Sequence, residues 1–407
     1  MEEHKSHSAK DNCAIAYHST PKPGKIEVVA TKPLNNRQDL IKAYSPGVAE
    51  ASLAIQSNPR AAETLTSRSN LVAVVTNGTA VLGLGDIGPL AAKPVMEGKS
   101  VLFKQFAGID CFDLEIDEQD PVKLAEIIIS LEPTFAAVNL EDIKAPECFE
   151  VERICRERMN IPVFHDDQHG TAIVVGAALK NAAKITGRAL SELKVVATGG
   201  GAAGIACLEM LLKIGVRPEH IYLFDEYGFI CDDRSHAITQ KQKKFCRSLQ
   251  SMELEDAFCG ADMFLGLSAP GVVTRAMITA MADEPIVFAL ANPEPEILPE
   301  IVMDARPDAI IATGRSDYPN QVNNALCFPY IFRGALNCGA TSINDAMQLA
   351  CLDALSNLAQ PSSDCPENQA SHDKYQLVPD LFDDRLEPVI SQAVALAATS
   401  SGVLRSK

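Results

Sequence analysis

The sequence predicts an α/β protein of two domains, the second built on a doubly wound parallel sheet. Three observations predict it. Apolar strand-like runs alternate with helix-length segments along most of the chain, the pattern of βαβ units. One such strand leads into a glycine-rich turn and an apolar helix, at residues 194–214. The length, 407 residues, exceeds one ordinary domain, taken as roughly 100–200 residues. The expected division is 1–165, 166–345 and a C-terminal loop and helical tail at 346–407.

Composition narrows the function classes. Acidic residues outnumber basic ones 53 to 36, a formal net charge of −17. That excludes a nucleic-acid binder, which needs basic patches for phosphates. The 12 cysteines form no CxxC pair, which suits free thiols in a reducing compartment. The first ten residues are polar and carry acids, unlike a signal or transit peptide. No apolar run approaches the eighteen or so residues of a membrane span. A cytoplasmic location is expected.

The elements follow in order. Residues 71–75 read as a strand, Asn77-Gly78 as a turn, and 81–86 as a second extended piece. Residues 101–106, Val-Leu-Phe-Lys-Gln-Phe, read as another strand. Residues 121–131 form a helix with Asp120 as cap and Pro121 at its first position. Residues 135–140 are a buried strand ending in Glu141-Asp142, and 161–164 a strand ending in His165-Asp166-Asp167. An amphipathic helix at 146–159 joins them, so the two strands are expected to be parallel, with their carboxyl ends on one rim. A small-residue helix at 170–189 leads into the second domain. Strands follow at 194–198, 221–224, 263–267, 286–291 and 309–312, then a polar loop at 360–375 and a helix at 386–397.

The glycine turn carries the first functional signal. Gly199-Gly200-Gly201-Ala202-Ala203-Gly204 sits between an apolar strand and an apolar helix, in a unit whose second strand ends at Asp225. That is the context a dinucleotide fingerprint requires. Gly199 permits the turn, Gly201 lets the backbone approach a pyrophosphate, and Gly204 lets helix and strand pack closely. The helix amides then face the anion. The second domain is therefore expected to be of the Rossmann type. Asp225 stands where a ribose-binding acid belongs, and Glu226 and Tyr227 offer no cation for a 2′-phosphate. This tilts the cofactor toward NAD over NADP, with Arg234 or a lysine from elsewhere as the alternative.

The second signal is acidic. Glu141, Asp142 and Asp167 place three carboxylates at two neighbouring strand ends, oxygen ligands that suit Mg²⁺ or Mn²⁺. His165 and His169 are four apart, but the zinc motif H-E-x-x-H needs both on one helix and a glutamate between. Here a strand precedes them and the second position is Asp166, so they are read as structural or as neighbours of the metal ligands. Gly98-Lys99-Ser100 lacks the first glycine of a P-loop, since position 93 is Lys93.

Together these segments resemble the malic enzymes, specifically the short bacterial type. The resemblance rests on Ala43-Tyr44-Ser45-Pro46-Gly47-Val48, on 77–85 with its Leu82-Gly83-Leu84-Gly85, on Lys93-Pro94-Val95-Met96-Glu97-Gly98-Lys99 and on Asn139-Leu140-Glu141-Asp142-Ile143. It continues through 163–171, through Ala291-Asn292-Pro293-Glu294-Pro295-Glu296 and through 318–324, all in family order. It implies an N-terminal α/β substrate and metal domain beside the NAD-binding domain. The implied reaction is oxidative decarboxylation of L-malate to pyruvate and CO₂, with decarboxylation of oxaloacetate alongside. On that pattern Glu141, Asp142 and Asp167 hold the metal, Lys99 is the general base and Tyr44 the general acid. Asn292 and Asn324 bind substrate and the nicotinamide end, and Asp166 sits beside Lys99. A homodimer is implied as well. For Lys99 to act as a base, burial or the nearby cation is expected to lower its pKa. Two departures are visible. Larger members carry an arginine for the substrate carboxylate where Ala80 stands here, and the acetyltransferase-like C-terminal domain of some relatives is not expected. The competing readings are a plain dehydrogenase or decarboxylase and an NAD-binding regulatory subunit.

Overall fold

The chain enters through three helices, α1 (Ser8–Ser19), α2 (Arg37–Ala43) and α3 (Val48–Ser57). Neither α2 nor α3 buries a residue. The structure is a computed structural model and describes residues 8–81, 83–248, 250–359 and 375–405.

The first sheet follows. Its strands are β1 (Leu71–Thr76), β2 (Asp110–Glu115), β3 (Ala137–Leu140) and β4 (Val163–His165), in the order β2-β1-β3-β4 and all parallel. Parallel sheets need cover on both faces, and β1 is buried at every position. Helix α4 (Pro89–Ala107) brings Met96 and Phe103 against Val72 and Val74. Helices α5 (Pro121–Ser130) and α6 (Glu147–Arg158) bring Leu124, Ile128, Val151 and Ile154 to the other face. The register pairs Val75 with Leu140 and Leu140 with His165. Glu141 and Asp166 therefore leave the sheet side by side.

Two expectations in this half are corrected. Residues 101–106 are not a strand but the last turns of α4. Ala92, Met96, Lys99, Ser100, Phe103 and Ala107 are its buried residues, which is a helical period and not an alternation. Pro94 and Gly98 inside the helix obscure that period in the sequence, because both are poor helix formers. Residues 81–86 are not extended: Val81 pairs back onto Gly85 in a tight turn, with Leu82 outside the described residues.

Helix α7 (Asp166–Thr186) then runs through the middle of the protein, with fourteen of its residues buried. It starts earlier than expected, so Asp166 and Asp167 form its first turn and do not prolong the strand. Carboxylates there face the positive end of the helix dipole.

The second sheet contains β5 (Val195–Thr198), β6 (Ile221–Asp225), β7 (Gly228–Phe229), β8 (Met263–Gly266), β9 (Ile286–Ala289) and β10 (Ile310–Thr313). Their order is β10-β9-β8-β5-β6-β7, and only β7 is antiparallel to its neighbour. The order reverses at β5, so a crevice opens between the carboxyl ends of β5 and β8, where ligands bind in such sheets. Helix α8 (Ala202–Lys213) begins at that crevice. The doubly wound expectation is met.

The chain ends in α9 (Phe328–Cys338), α10 (Asp345–Leu358) and α11 (Leu386–Ser400), which pack on one another, on α4 and on α7. One apolar core joins both halves: Val72 and Phe103 share it with Val195, Phe288, Phe328 and Leu352. The loop expected at 360–375 lies, to residue 374, outside the described residues. Among the described residues, no helix is long and apolar enough to cross a membrane.

Candidate active site

The rim of the first sheet holds a buried charge cluster. Glu141 and Asp142 follow β3, and Asp166 and Asp167 open α7. Asp142 sits at a left-handed φ of +53°, uncommon for a residue other than glycine. One ligand atom from each of Glu141, Asp142 and Asp167 falls within 4.8 Å of the others. The backbone N–H of Asp142 donates to Asp167 Oδ2 at 2.7 Å, and Asn139 Nδ2 donates to Glu141 Oε2 at 2.8 Å.

Helix α4 aims Lys99 into this cluster. Its side chain is 8% exposed, with Nζ 2.7 Å from Asp166 Oδ2 and 2.9 Å from Glu141 Oε1. Nζ also lies 4.1 Å above the Phe328 ring, a favourable position for a cation. Burial by itself would lower the Lys99 pKa, but Asp166 and Glu141 outweigh it and hold the ammonium above the usual lysine range. This corrects the expectation of a lowered lysine pKa. The carboxylates move upward too. Burial, with Asp167 adding to it, pushes Glu141 to about 7 against the pull of Lys99. Burial also carries Asp166 to about 7 and Asp167 to about 6. Burial is the main cause, mutual repulsion of the carboxylates adds to it, and Lys99 is the cation that pulls against both. An all-oxygen donor set with surplus negative charge fits a hard divalent cation.

The two histidines have different surroundings, with His165 Nδ1 lying 3.8 Å from Asp167 Oδ2. His165 is fully buried and its pKa falls to about 4 through that burial, so the ring is neutral. His169 Nε2 lies 2.7 Å from Glu152 Oε1. Burial would raise Glu152, but His169 holds it down at about 2. They do not form a shared ligand pair.

The glycine loop forms the floor of a cleft of about 860 Å³. Gly199, Gly200 and Gly201 line it from the second sheet, and Ala145, Pro146 and Phe149 line it from the first half. The cleft thus begins three residues beyond Asp142. Gly199 has φ of +108°. A Cβ at Gly204 would fall on the Gly199 carbonyl, so helix and strand can approach only with glycine there. Ala202 and Ala203 form the first turn of α8, and Ala202 packs against the core of the first sheet.

Asp225 lines the cleft at the end of β6, as expected. Its surroundings differ from the sequence reading. Arg234 Nη2 lies 3.1 Å from Asp225 Oδ2, and Gln242 Nε2 reaches the same oxygen at 3.4 Å and the Gly200 carbonyl at 3.2 Å. The premise that Asp225 has no basic neighbour is corrected. Arg234, the alternative the sequence left open, is nine residues away and is the cation that folds in.

The remaining residues divide. Asn324 opens a short 3-10 turn, and its Cβ would stand 3.1 Å from a Cβ placed on Gly170, one turn beyond Asp166. Asn292 follows β9, donates from Nδ2 to the Leu290 carbonyl at 3.4 Å, and its own carbonyl abuts Gly83 of the first half. Tyr44 stands apart, 71% exposed at the end of α2. Sequence reasoning gave no role to Glu296, which is fully buried beneath the crevice. It accepts hydrogen bonds from the Ser268 N–H at 2.7 Å and the Ala291 N–H at 3.1 Å, tying the ends of β8 and β9 together. Its place in the Pro-Glu-Pro-Glu motif was the only signal for it.

Residues 23–126 match the family described as malic enzyme, N-terminal domain, and residues 168–371 match malic enzyme, NAD binding domain. The chain belongs to the malic enzyme family. An NAD-dependent malic enzyme of Rhizobium meliloti is 53% identical over 97% of this chain and 52% of its own length. An NADP-dependent malic enzyme of Haemophilus influenzae is 53% identical over 96% of this chain and 52% of its own length. The chain thus spans about half the length of these curated relatives. The crystal structure of a malic enzyme from Pyrococcus horikoshii superimposes with a TM-score of 0.88 at 40% identity, covering 98% of this chain and 92% of that one.

Proposed function

We propose that the protein oxidatively decarboxylates L-malate to pyruvate and CO₂ with reduction of NAD or NADP, requires Mg²⁺ or Mn²⁺, and also decarboxylates oxaloacetate. The observation that carries this reading is Lys99 buried against Asp166 and Glu141, beside the convergent oxygens of Glu141, Asp142 and Asp167. A nucleotide-binding subunit without catalysis has no use for that surplus of buried charge, which destabilises the apoprotein. Glu141, Asp142 and Asp167 are the proposed metal ligands. A divalent cation bound there supplies Lewis-acid polarisation of an α-hydroxy acid and offsets the charge that holds Lys99 protonated.

The chain's own residues do the rest. Lys99 Nζ takes the proton of the C2 hydroxyl, and Asp166, 2.7 Å away, holds Nζ in place. Phe328 covers Nζ and excludes water. Asn324 and Asn292 orient the substrate and the nicotinamide end. Gly199 to Gly204 and Asp225 seat the pyrophosphate and the ribose. Tyr44 returns a proton to C3 of the enol after CO₂ leaves.

A second copy of the chain belongs in this picture. Val28, Val29, Leu34, Tyr44 and Leu53 are each more than 60% exposed, and apolar surface gathered in one segment marks a contact face. We take the protein as a homodimer, with that segment at its interface and Tyr44 beside it. Sedimentation equilibrium is expected to give twice the 43.7 kDa chain mass; a monomer at micromolar concentration would contradict this.

The functional test is turnover. Purified protein with L-malate, Mn²⁺ and dinucleotide is expected to form NAD(P)H and pyruvate in equal amounts, and a chelator to stop both. NAD(P)H without pyruvate would identify a simple dehydrogenase. Tight dinucleotide binding without turnover would identify a regulatory subunit.

A further inference from the structure

We infer that Glu296 is a positioning residue for the hydride step: its buried carboxylate fastens the Ala291-Asn292 turn and the Ser268 turn to the strand that opens the glycine loop. The inference rests on the proposed malate oxidation and deepens it, by naming what holds Asn292 in place.

Glu296 has no exposed surface. Its Oε1 accepts from the Ser268 N–H at 2.7 Å and from the Ser268 hydroxyl at 3.1 Å, and its Oε2 accepts from the Ala291 N–H at 3.1 Å. Ser268 Oγ in turn lies 2.8 Å from Thr198 Oγ1. Thr198 is the last residue of β5, and Thr198 and Ser268 both line the cleft. One carboxylate therefore links the carboxyl ends of β5, β8 and β9. Room for it is built in: a Cβ at Gly266, the end of β8, would overlap the Glu296 carboxyl. The backbone adds to the hold. The Gly271 N–H donates to the Pro295 carbonyl at 3.3 Å, and the Val273 N–H to the Glu296 carbonyl at 3.2 Å.

The three donors that meet this carboxylate are neutral, and together they call for an anion. A carboxylate has two acceptor oxygens and no donor, whereas an amide of the same shape turns one end into a donor that would face an N–H. Because the carboxylate only accepts, Ser268 gives it its one hydroxyl proton and is left to accept from Thr198. Bonds to an ionised acceptor are roughly twice as strong as neutral ones, so the turns at 268 and 291 are held firmly. Asn292 follows Ala291 directly and has little space. A Cβ at Gly314, beyond β10, would stand 2.6 Å from Asn292 Nδ2, and one at Gly83, in the first half, 2.5 Å from its carbonyl. Pinning the Ala291 N–H therefore sets where Asn292 stands between the two halves. A displacement of about 1 Å in such a group can cost about 10²-fold in rate. Glu296 acts through Asn292 and Ser268, not on the substrate itself.

The test separates positioning from folding. Glu296→Gln keeps the shape and loses one acceptor, and its hydrogen exchange is read by mass spectrometry without any ligand. Exchange is expected to quicken at least tenfold in the peptides that carry the Ser268 and Ala291 amides, and to stay within about twofold in β6 and β10. Malate oxidation is expected to lose at least tenfold in kcat, with calorimetric dissociation constants for NAD and NADP within about threefold. Oxaloacetate decarboxylation, which transfers no hydride, is expected to keep at least a third of its rate. Added to Asn292→Ala, the substitution is expected to cost less than a further twofold, because both act on one group. Ser268→Ala deletes only a hydroxyl and carries the test if Glu296→Gln does not fold: malate oxidation is expected to slow threefold or more, with the same split between the two reactions. Equal losses in both reactions, or full additivity with Asn292→Ala, would show that Glu296 only supports the fold and would overturn the inference. So would unchanged malate oxidation in Glu296→Gln. Wild-type protein without malate oxidation would remove the functional reading, and the inference with it.

Discussion

Lys99→Ala is expected to lower malate turnover by roughly 10²–10⁴-fold, the usual contribution of a positioned acid–base group, with dinucleotide affinity unchanged. The lysine is tied to the acidic rim and not to the cleft floor. Its Nζ contacts are Asp166, Glu141 and the Phe328 ring, whereas the cleft proposed for the dinucleotide is lined by Gly199, Gly200 and Gly201. Removing the ammonium also strands two buried carboxylates. Breaking a buried pair by deleting one partner costs about 3–5 kcal/mol, so the variant is expected to melt earlier as well. Lys99→Arg separates the two effects. It keeps a cation among the carboxylates but cannot release a proton near neutrality, so stability is expected to return without activity. Near-normal turnover in Lys99→Ala would dismiss this lysine as the base.

Gly170→Ala is expected to reduce turnover at least tenfold, although alanine is the better helix former by about 1 kcal/mol. Residue 170 lies one turn into α7, and a Cβ there would overlap Asp166 Oδ1 and press on Asn324. Overpacking of this kind costs about 1–3 kcal/mol, which already offsets the helix gain. Asp166 can yield only by turning away from Lys99, which loses the 2.7 Å contact. Circular dichroism is expected to show an intact fold with a lower melting temperature, alongside the activity loss. A variant that is more stable than wild type and fully active would mean that the helix shifts freely and that Asp166 does not position the lysine.

What could be read from the sequence was what short segments encode. The glycine loop, the strand before it and Asp225 lie within about thirty residues, and their order specifies the unit. The acidic cluster was legible because one strand–helix–strand unit fixes the relative placement of its two ends; Glu141, Asp142 and Asp167 do converge. Helix α4 was not legible across its last turns, because Pro94 and Gly98 interrupt a period that packing against β1 and α9 nonetheless sustains. The electrostatics of Lys99 were not legible either. Burial was foreseeable, but its effect on the pKa is reversed by Asp166, 67 positions away in sequence. Gln242 and Glu296 act through loops between strands, and no local periodicity points to where a loop side chain ends; for the same reason Arg234 was named only as one alternative beside Asp225.

The central claim is that a carboxylate-held cation, Lys99 and the glycine-loop cleft act on one substrate in one passage. The most direct test follows the hydrogen at C2. L-malate deuterated at C2 is incubated with the protein, Mn²⁺ and NADP or NAD, and the products are read by mass spectrometry. The account predicts one deuterium in the reduced dinucleotide for each pyruvate formed, and one solvent hydrogen newly placed in the pyruvate methyl group. Pyruvate formed without deuterium in the dinucleotide, or deuterated dinucleotide with oxaloacetate as the end product, would contradict it.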